Sequence, residues 1–209
     1  MNLRVSRIVT HDTTFHADEV FAVALIKYVG YDVPLMRTRD RVLLAEALED
    51  PTVFVIDVGG VYNPAMLNFD HHQDLSLPSA AGLVYQFLKP VFPETLHAHF
   101  DAFFSAIDAV DTNRNNIYAL LHTLPEGFRN VSSIISGFNR DVTDRAVQNA
   151  QFNVAAKVAF LVIQNENHAA LEHARSERNT LSVRFCLTML PFSRPSIRYG
   201  RKKGIIILQ

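Results

Sequence analysis

The segment TVFVIDVGG, residues 52–60, carries the strongest strand signal in the chain and decides its fold class. Its first five residues are all β-branched or aromatic, and the run ends at Asp57, followed by a valine and two glycines. A short apolar run without polar alternation is typical of a strand that is buried on both faces, as in parallel sheets. The segment therefore predicts a central strand of an α/β domain, with Asp57 at its carboxyl end.

Short apolar runs and helical patterns alternate on both sides of this strand. Further strands are predicted at 7–10, 34–37 and 65–69, and helices at 17–29, 40–49, 79–89, 94–111, 130–138 and 143–175. Strand-like patterns also occur at 181–187 and 204–208. This order favours an α/β fold with a largely parallel sheet flanked by helices, followed by a mainly helical segment.

Charge and cysteine content limit the class of protein. The 209 residues carry a net charge of −1, but residues 178–209 hold seven Lys or Arg and no acid. A basic end of this kind fits either a nucleic-acid-binding tail or an ordinary solvated terminus. The single cysteine, Cys186, excludes an internal disulfide framework and a cysteine-rich zinc site. Since the start lacks a signal-like region and no apolar run approaches about 20 residues, the chain is expected to be cytoplasmic.

Histidines and acids follow three of the predicted strands. In open parallel sheets, ligands bind beyond the carboxyl ends of the strands, so these side chains are expected to meet at one edge. Each residue alone has an ordinary interpretation, because an Asp after a strand often begins a turn and a surface His needs no ligand. Their convergence predicts a metal site, for which the candidates are His11, His16, Asp18, Asp57, Asp70, His71 and His72.

The types of these side chains indicate which ions the site prefers. Carboxylates suit Mg²⁺ and Mn²⁺, and imidazole shifts the preference toward Mn²⁺, Fe²⁺, Co²⁺ or Zn²⁺. The candidates outnumber the ligands that one ion needs, which favours two ions about 3.5–4 Å apart, an arrangement suited to phosphate-ester hydrolysis. The helix predicted at 94–111 adds Asp111 as a candidate ligand, with Asp108 as the alternative.

Four segments together resemble the motifs of the DHH phosphoesterase superfamily: THDTTFHADE at 10–19, IDVGG at 56–60, FDHHQ at 69–73 and AIDAVD at 106–111. They are similar to the branch named for the melanocyte proliferating gene, over roughly residues 5–175. The resemblance implies a DHH-like α/β domain and a metal-dependent 3′–5′ exonuclease that acts on RNA or short oligonucleotides. Combining it with the two-ion arrangement, we expect in-line attack on phosphorus by a hydroxide that bridges two divalent ions, Mn²⁺ first, with Mg²⁺, Co²⁺ or Zn²⁺ as alternatives.

The resemblance also implies roles for individual positions. Asp57 is expected to bridge the two ions, His72 to face the phosphate, and Asp70 to orient the neighbouring histidines. Arg37 and Arg39 are candidates to assist His72, although solvated surface arginines are the ordinary interpretation. The residues implied as metal ligands are His11, His16 and Asp57 for one ion, and Asp18, Asp57, His71 and Asp111 for the other.

The sequence departs from that branch at two places. Thr13 stands where the branch normally has Gly, which puts the conformation of this loop in question. The branch also continues into a longer C-terminal substrate-binding domain. The expected organisation is a DHH-like α/β metal-binding domain at 1–125, a helical extension at 126–177 and a short basic tail at 178–209, a truncated remnant of a second domain.

Two alternatives to a phosphodiesterase fit the same residues. One is a metal-binding regulatory or nucleic-acid-binding protein without turnover. The other is an incomplete, inactive member of the family. The sequence also leaves open the physiological substrate and whether the chain forms a homodimer.

Overall fold

The computed structural model describes residues 3–139 and 143–189, with side chains as far as residue 176. Within these residues the chain forms five strands and seven α-helices. Met1–Glu172 is one compact unit, and a second begins at His173, within the last helix. The domain boundaries placed near residues 125 and 177 from the sequence stay predictions.

A five-stranded sheet forms the centre of the first unit. Its strands are β1 (Arg7–Thr10), β2 (Leu35–Arg37), β3 (Val53–Ile56), β4 (Tyr62–Asn63) and β5 (Asn68–Phe69). They lie in the order β2-β1-β3-β5-β4; β4 runs antiparallel to β5, and the other three pairings are parallel. The fold is therefore α/β as predicted, although the sheet is mixed rather than purely parallel.

The central strand β3 is buried on both faces, which explains its unbroken apolar sequence. Val53 and Val55 pack with Ala47 in a small cluster on the side of the second helix. Phe54 and Ile56 point to the opposite face and join the main core. Because side chains alternate between the faces of a strand, a strand covered on both sides needs apolar residues at every position.

The helices surround the sheet, and the first of them runs through the core. Ten consecutive residues of the first helix, α1 (Ala17–Tyr28), are buried, namely 17–26. Helix α1 packs closely against the third helix, α3 (Ala80–Leu88). From residue 20 to residue 26, α1 is apolar all round, which suits such a position. The helices are α1 (Ala17–Tyr28), α2 (Arg41–Leu48), α3 (Ala80–Leu88), α4 (Glu94–Asp111), α5 (Ile117–Leu121), α6 (Val131–Ser136) and α7 (Arg145–Met189).

One strand prediction was confirmed only in part, and another was wrong. Residues 65–69 are a strand only at Asn68–Phe69, because Pro64–Met66 forms a short 3₁₀ helix before it. Residues 181–187 belong to α7, since a short apolar run fits a helix as well as a strand when a long helical pattern precedes it. The strand pattern at 204–208 lies outside the described residues.

Helix α7 combines length with apolar composition. Its part from Arg145 to Ser176 is, by length and composition alone, long and apolar enough to cross a membrane, which was not expected from the sequence. Phe152, Ala155 and Ile163 lie on one face of this helix and are fully buried in the core. The apolar residues of this face therefore form part of the core of the folded chain.

Candidate metal centre

The candidate residues lie at the edge where the parallel strands end. His11 follows β1, Asp57 follows β3, and the segment 70–72 follows β5. The start of α1 contributes Asp18, and the end of α4 contributes Asp111. The topology therefore brings four separate parts of the chain to one place, as expected for a site at the carboxyl ends of parallel strands.

Two residues at this edge of the sheet have a left-handed backbone conformation. Asp57 has a φ of +56°, and its N–H donates to the carbonyl of Phe69 at 3.0 Å. Thr13 has a φ of +71°, a conformation that costs a residue with a Cβ about 1–2 kcal/mol and that glycine adopts freely. Thr13 thus adopts a left-handed conformation that a glycine at this position would adopt without strain.

Asp57 lies between two imidazoles. Its Oδ2 is 3.3 Å from Nε2 of His11, and its Oδ1 is 3.3 Å from Nε2 of His71. Nε2 of His71 also lies 3.4 Å from Oδ2 of Asp111 and 3.8 Å from Oδ2 of Asp18. The carboxylate of Asp57 thus has a different imidazole beside each of its oxygens.

Several groups of nitrogen and oxygen atoms at this edge are close enough to share an ion. Within each group, the ligand atoms lie within 4.8 Å of one another. Because the groups share members, they form one continuous cluster rather than separate sites. The groups are His11, His16 and Glu19; Asp57, His71 and His72; His16, Asp18 and Asp111; and Asp18, Glu19 and Asp57.

Buried oxygen atoms without partners test whether an ion fits. Both carboxylate oxygens of Asp18 and Oδ1 of Asp57 have no hydrogen-bond partner among the described residues. Asp18 is fully buried and Asp57 is 4% exposed. A buried carboxylate without compensation is strongly unfavourable, which applies above all to Asp18, since Asp57 has ion-pair contacts with His11 and His71. A divalent cation between these oxygens and the imidazoles supplies the missing partner, so the residues fit a metal.

The charges of the cluster shift its pKa values in a consistent way. Burial, followed by the charges of Asp57 and Glu19, raises the pKa of Asp18 well above its usual value. Burial also opposes ionisation of Asp57, but its contacts with His11 and His71 outweigh burial and lower its pKa. Burial alone would lower the pKa of His11, whereas Asp57 and Glu19 together raise it to about 10. The cluster therefore attracts positive charge, whether from protons or from metal ions.

Asp70 holds the His72 loop in place. Its Oδ1 accepts from the backbone N–H of His72 at 3.1 Å and lies 2.7 Å from Nδ1 of the same histidine. Its Oδ2 accepts from the N–H of Gly60 at 2.7 Å. The His72 side chain is 64% exposed, and its Nδ1 is 3.6 Å from Oδ1 of Asp57. This places an imidazole at the open side of the cluster, oriented by a buried carboxylate.

Asp108, the alternative ligand on α4, lies outside these groups. Its carboxylate accepts from the backbone N–H of Ser79 at 3.1 Å and from the Ser79 hydroxyl. It also contacts Gly82 so closely that no Cβ has room there. Asp108 thus joins the beginning of α3 to α4, and its buried charge is explained by these bonds.

Arg37 has a different role from either one considered in the sequence analysis. It is buried, and its guanidinium donates to the carbonyls of His11 and Thr13 and to Oδ1 of Asn149. The same group lies 4.6 Å from the ring centre of Phe152. Arg37 is therefore neither solvated nor directed at a phosphate, but fixes the backbone that carries His11.

Glu19 belongs to the cluster, although the sequence analysis did not select it. Its Oε1 is 3.0 Å from Nε2 of His11 and accepts from the backbone N–H of His16 at 2.9 Å. An acid three residues after the residue that begins a helix is a familiar capping pattern. That signal predicts the cap, but only the position of His11 shows that the same carboxylate reaches the cluster.

A separate cavity of about 790 Å³ lies between α1, β2 and α7. It is lined by Val23, Leu35 and Phe160 among others, and by none of the cluster residues. The volume of this cavity therefore does not indicate the position of the functional site, because the candidate ligands converge elsewhere.

Comparisons with known proteins agree on one family. The sequence profile of MYG1_exonuc, an uncharacterised protein family (UPF0160), matches residues 7–182. The MYG1 protein of Chlamydia pneumoniae is 34% identical over 156 residues, which cover 70% of this chain and 49% of that protein. The MYG1 protein of Dictyostelium discoideum is 28% identical over 179 residues, which cover 72% of this chain and 53% of that protein.

A mammalian relative carries a functional name. The MYG1 exonuclease of Homo sapiens is 44% identical over 69 residues, which cover 32% of this chain and 17% of that protein. This chain spans about half the length of the chlamydial and Dictyostelium relatives. No solved structure matches it.

Proposed function

The chain belongs to the MYG1 family (UPF0160), and we propose that it is a divalent-metal-dependent phosphodiesterase that removes nucleotides from the 3′ end of RNA or short oligonucleotides. The exonuclease name of the human relative supports a nucleic-acid substrate. The observation that carries the proposal is the pair of buried carboxylates, Asp18 and Asp57, in which both oxygens of Asp18 and Oδ1 of Asp57 lack hydrogen-bond partners within the described residues. These oxygens lie among imidazoles at the sheet edge.

The proposed ligands divide into two sets that share Asp57. Asp57 contacts a different histidine through each oxygen, which supports a bridging role. We propose Mn²⁺ as the resident ion, because the set mixes carboxylates with imidazoles and has no thiolate. Two such ions would lower the pKa of a bound water and stabilise negative charge on phosphoryl oxygens. The sets are His11, His16 and Asp57, and Asp18, Asp57, His71 and Asp111, with Glu19 beside the first.

The chain's own groups then position the substrate. The exposed His72 imidazole faces the open side of the cluster and donates to a phosphoryl oxygen. Asp70 fixes the orientation of that ring through its 2.7 Å contact with Nδ1. We further propose that the fold belongs to the DHH phosphoesterase type and that the protein acts in the cytoplasm.

An activity screen tests the proposal. The full chain is reconstituted with Mn²⁺, Mg²⁺, Co²⁺ or Zn²⁺ and offered bis(4-nitrophenyl) phosphate and 5′-labelled RNA of ten nucleotides. Metal-dependent shortening of the labelled RNA from its 3′ end, lost in Asp57→Asn, is the expected result. Asp32→Asn is the matched control, since Asp32 is 89% exposed and pairs with Lys27. Metal binding without turnover on either substrate would instead favour a metal-binding protein that is not an enzyme.

A further inference from the structure

Two arginines converge on one buried carboxylate beside the cluster. Asp12 is the neighbour of His11 and is 2% exposed. Nη2 of Arg145 lies 2.6 Å from its Oδ2, and Nε of Arg39 lies 3.8 Å from its Oδ1. Asp12 follows β1, Arg39 follows β2, and Arg145 begins α7. All three therefore lie at the same sheet edge as the candidate metal ligands.

The exposure of these arginines separates them from Arg37. The guanidinium of Arg37 is buried and donates hydrogen bonds to three oxygens of the protein. The side chains of Arg39 and Arg145 are 58% and 70% exposed. A guanidinium carries five N–H donors, so among the described residues the contact with Asp12 occupies only a small part of the donors of each group.

The charges favour an anion at this place. Two guanidinium groups share one carboxylate, which leaves a net positive charge beside a cluster rich in acids. Asp12 keeps both groups at the edge instead of letting them extend freely into water. Guanidinium groups bind phosphate through paired hydrogen bonds and stay charged at every physiological pH.

We infer that Arg39 and Arg145 form a phosphate-binding site next to the metal centre, which holds a backbone phosphate other than the one being cleaved. The inference rests on the proposed function, because it gives that centre a substrate with at least two phosphates. A single-phosphate diester reaches the metals without using this site. An oligonucleotide uses both, so the two arginines select oligonucleotides over small diesters.

Binding and turnover test this site separately. The variants are Arg39→Gln, Arg145→Gln and the double variant, with Lys157→Gln as the control because it removes one charge from an exposed position of α7. Binding is measured with a ten-nucleotide phosphorothioate RNA in Mn²⁺ at several salt concentrations. The double variant should bind about tenfold more weakly and lose about 1.4 from the slope of log affinity against log salt, since each contact with a single strand contributes about 0.7.

Turnover gives the second readout. The double variant should lose about tenfold in kcat/KM on RNA, mainly through KM, and stay within about twofold on bis(4-nitrophenyl) phosphate. A double variant that behaves like Lys157→Gln in RNA binding overturns the inference, as does a wild-type chain that does not bind the RNA. If no variant turns over any substrate, the proposed function fails, while the binding data still decide the phosphate site.

A charge-removal cycle separates phosphate binding from a purely structural role. Arg145→Gln leaves Asp12 without its closest partner, which can disturb the fold by itself. Asp12→Asn combined with Arg145→Gln removes both charges. If Arg145 only neutralises Asp12, this combination restores RNA affinity to the wild-type value and the inference is wrong. If Arg145 binds phosphate, the loss persists, and Asp12→Asn alone binds RNA at least as tightly as the wild type.

Discussion

Asp18 of α1 and Asp108 of α4 are both buried aspartates, but their carboxylates have opposite surroundings. Asp108 accepts from the N–H and hydroxyl of Ser79. Both oxygens of Asp18 lack hydrogen-bond partners among the described residues and face other acids. A satisfied buried carboxylate is explained by the fold itself, whereas an unsatisfied one points to a cation. The predictions below use this contrast.

The largest effect on activity is expected for substitution of Asp57, whose carboxylate lies between the imidazoles of His11 and His71. Asp57→Asn should reduce phosphodiesterase activity by more than about a hundredfold, because even residues that only orient metal ligands are worth about 10–100-fold. Steady-state kinetics on both substrates, with circular dichroism as the control for folding, measure this. Activity within a few-fold of the wild type would show that Asp57 does not bridge ions.

Metal affinity should change about tenfold per pH unit. The carboxylates of Asp57 and Glu19 raise the pKa of His11 to about 10, so His11 of the metal-free protein carries a proton at neutral pH. A metal ion must displace that proton, and affinity therefore rises with pH until the pKa of His11 is passed. Titrations between pH 6 and 9 in two buffers of different ionisation enthalpy count the released protons. An affinity that is constant over this range would exclude His11 as a ligand.

Substitution of Asp108, whose carboxylate has hydrogen-bond partners, should change the stability of the protein but not its metal binding. Asp108→Ala removes the acceptor for two Ser79 donors and should lower the free energy of unfolding by about 1–3 kcal/mol. The metal stoichiometry of the folded protein should not change, because Asp108 lies outside the candidate ligand groups. Thermal unfolding and metal analysis of the same sample measure both quantities. A loss of bound metal would move Asp108 into the centre.

Substitution of Asp18, whose carboxylate lacks hydrogen-bond partners among the described residues, should have the opposite effect on stability. Burial and neighbouring acids raise the pKa of Asp18, so its ionisation opposes folding and the metal-free chain loses stability as pH rises through that pKa. Asp18→Asn should therefore raise the free energy of unfolding of the metal-free protein by about 1 kcal/mol. Denaturant titration at pH 8 in EDTA measures the change. A destabilised variant would mean that Asp18 has a partner in the metal-free chain.

The sequence was enough to predict the strands and helices that carry the site. The apolar run of β3 and the start of α1 place Asp57 and Asp18, because strand ends and helix starts follow from local patterns. The sequence favoured Asp111 over Asp108 as a ligand but could not exclude Asp108, since residues three apart share a helix face and only the partner element differs. The partner of Asp108 is Ser79, 29 residues away in the sequence.

Three contacts account for the other differences. Arg37 is buried because Asn149 and Phe152 of α7 cover it, which no local pattern indicates. The antiparallel pairing of β4 with β5 involves two residues in each strand, too few for a periodic signal. The role of Glu19 depends on the distance to His11 across the start of α1.

Counting bound ions tests the central claim most directly. Isothermal titration of Mn²⁺ into metal-free protein at pH 8 should give about two ions per chain for the wild type, and a lower stoichiometry for Asp18→Asn, which loses a ligand of one site. The Asp108→Ala variant should match the wild type. Fewer than one ion per chain in the wild type, with Co²⁺ and Zn²⁺ giving the same result, would contradict the assignment of the buried carboxylates to metal binding.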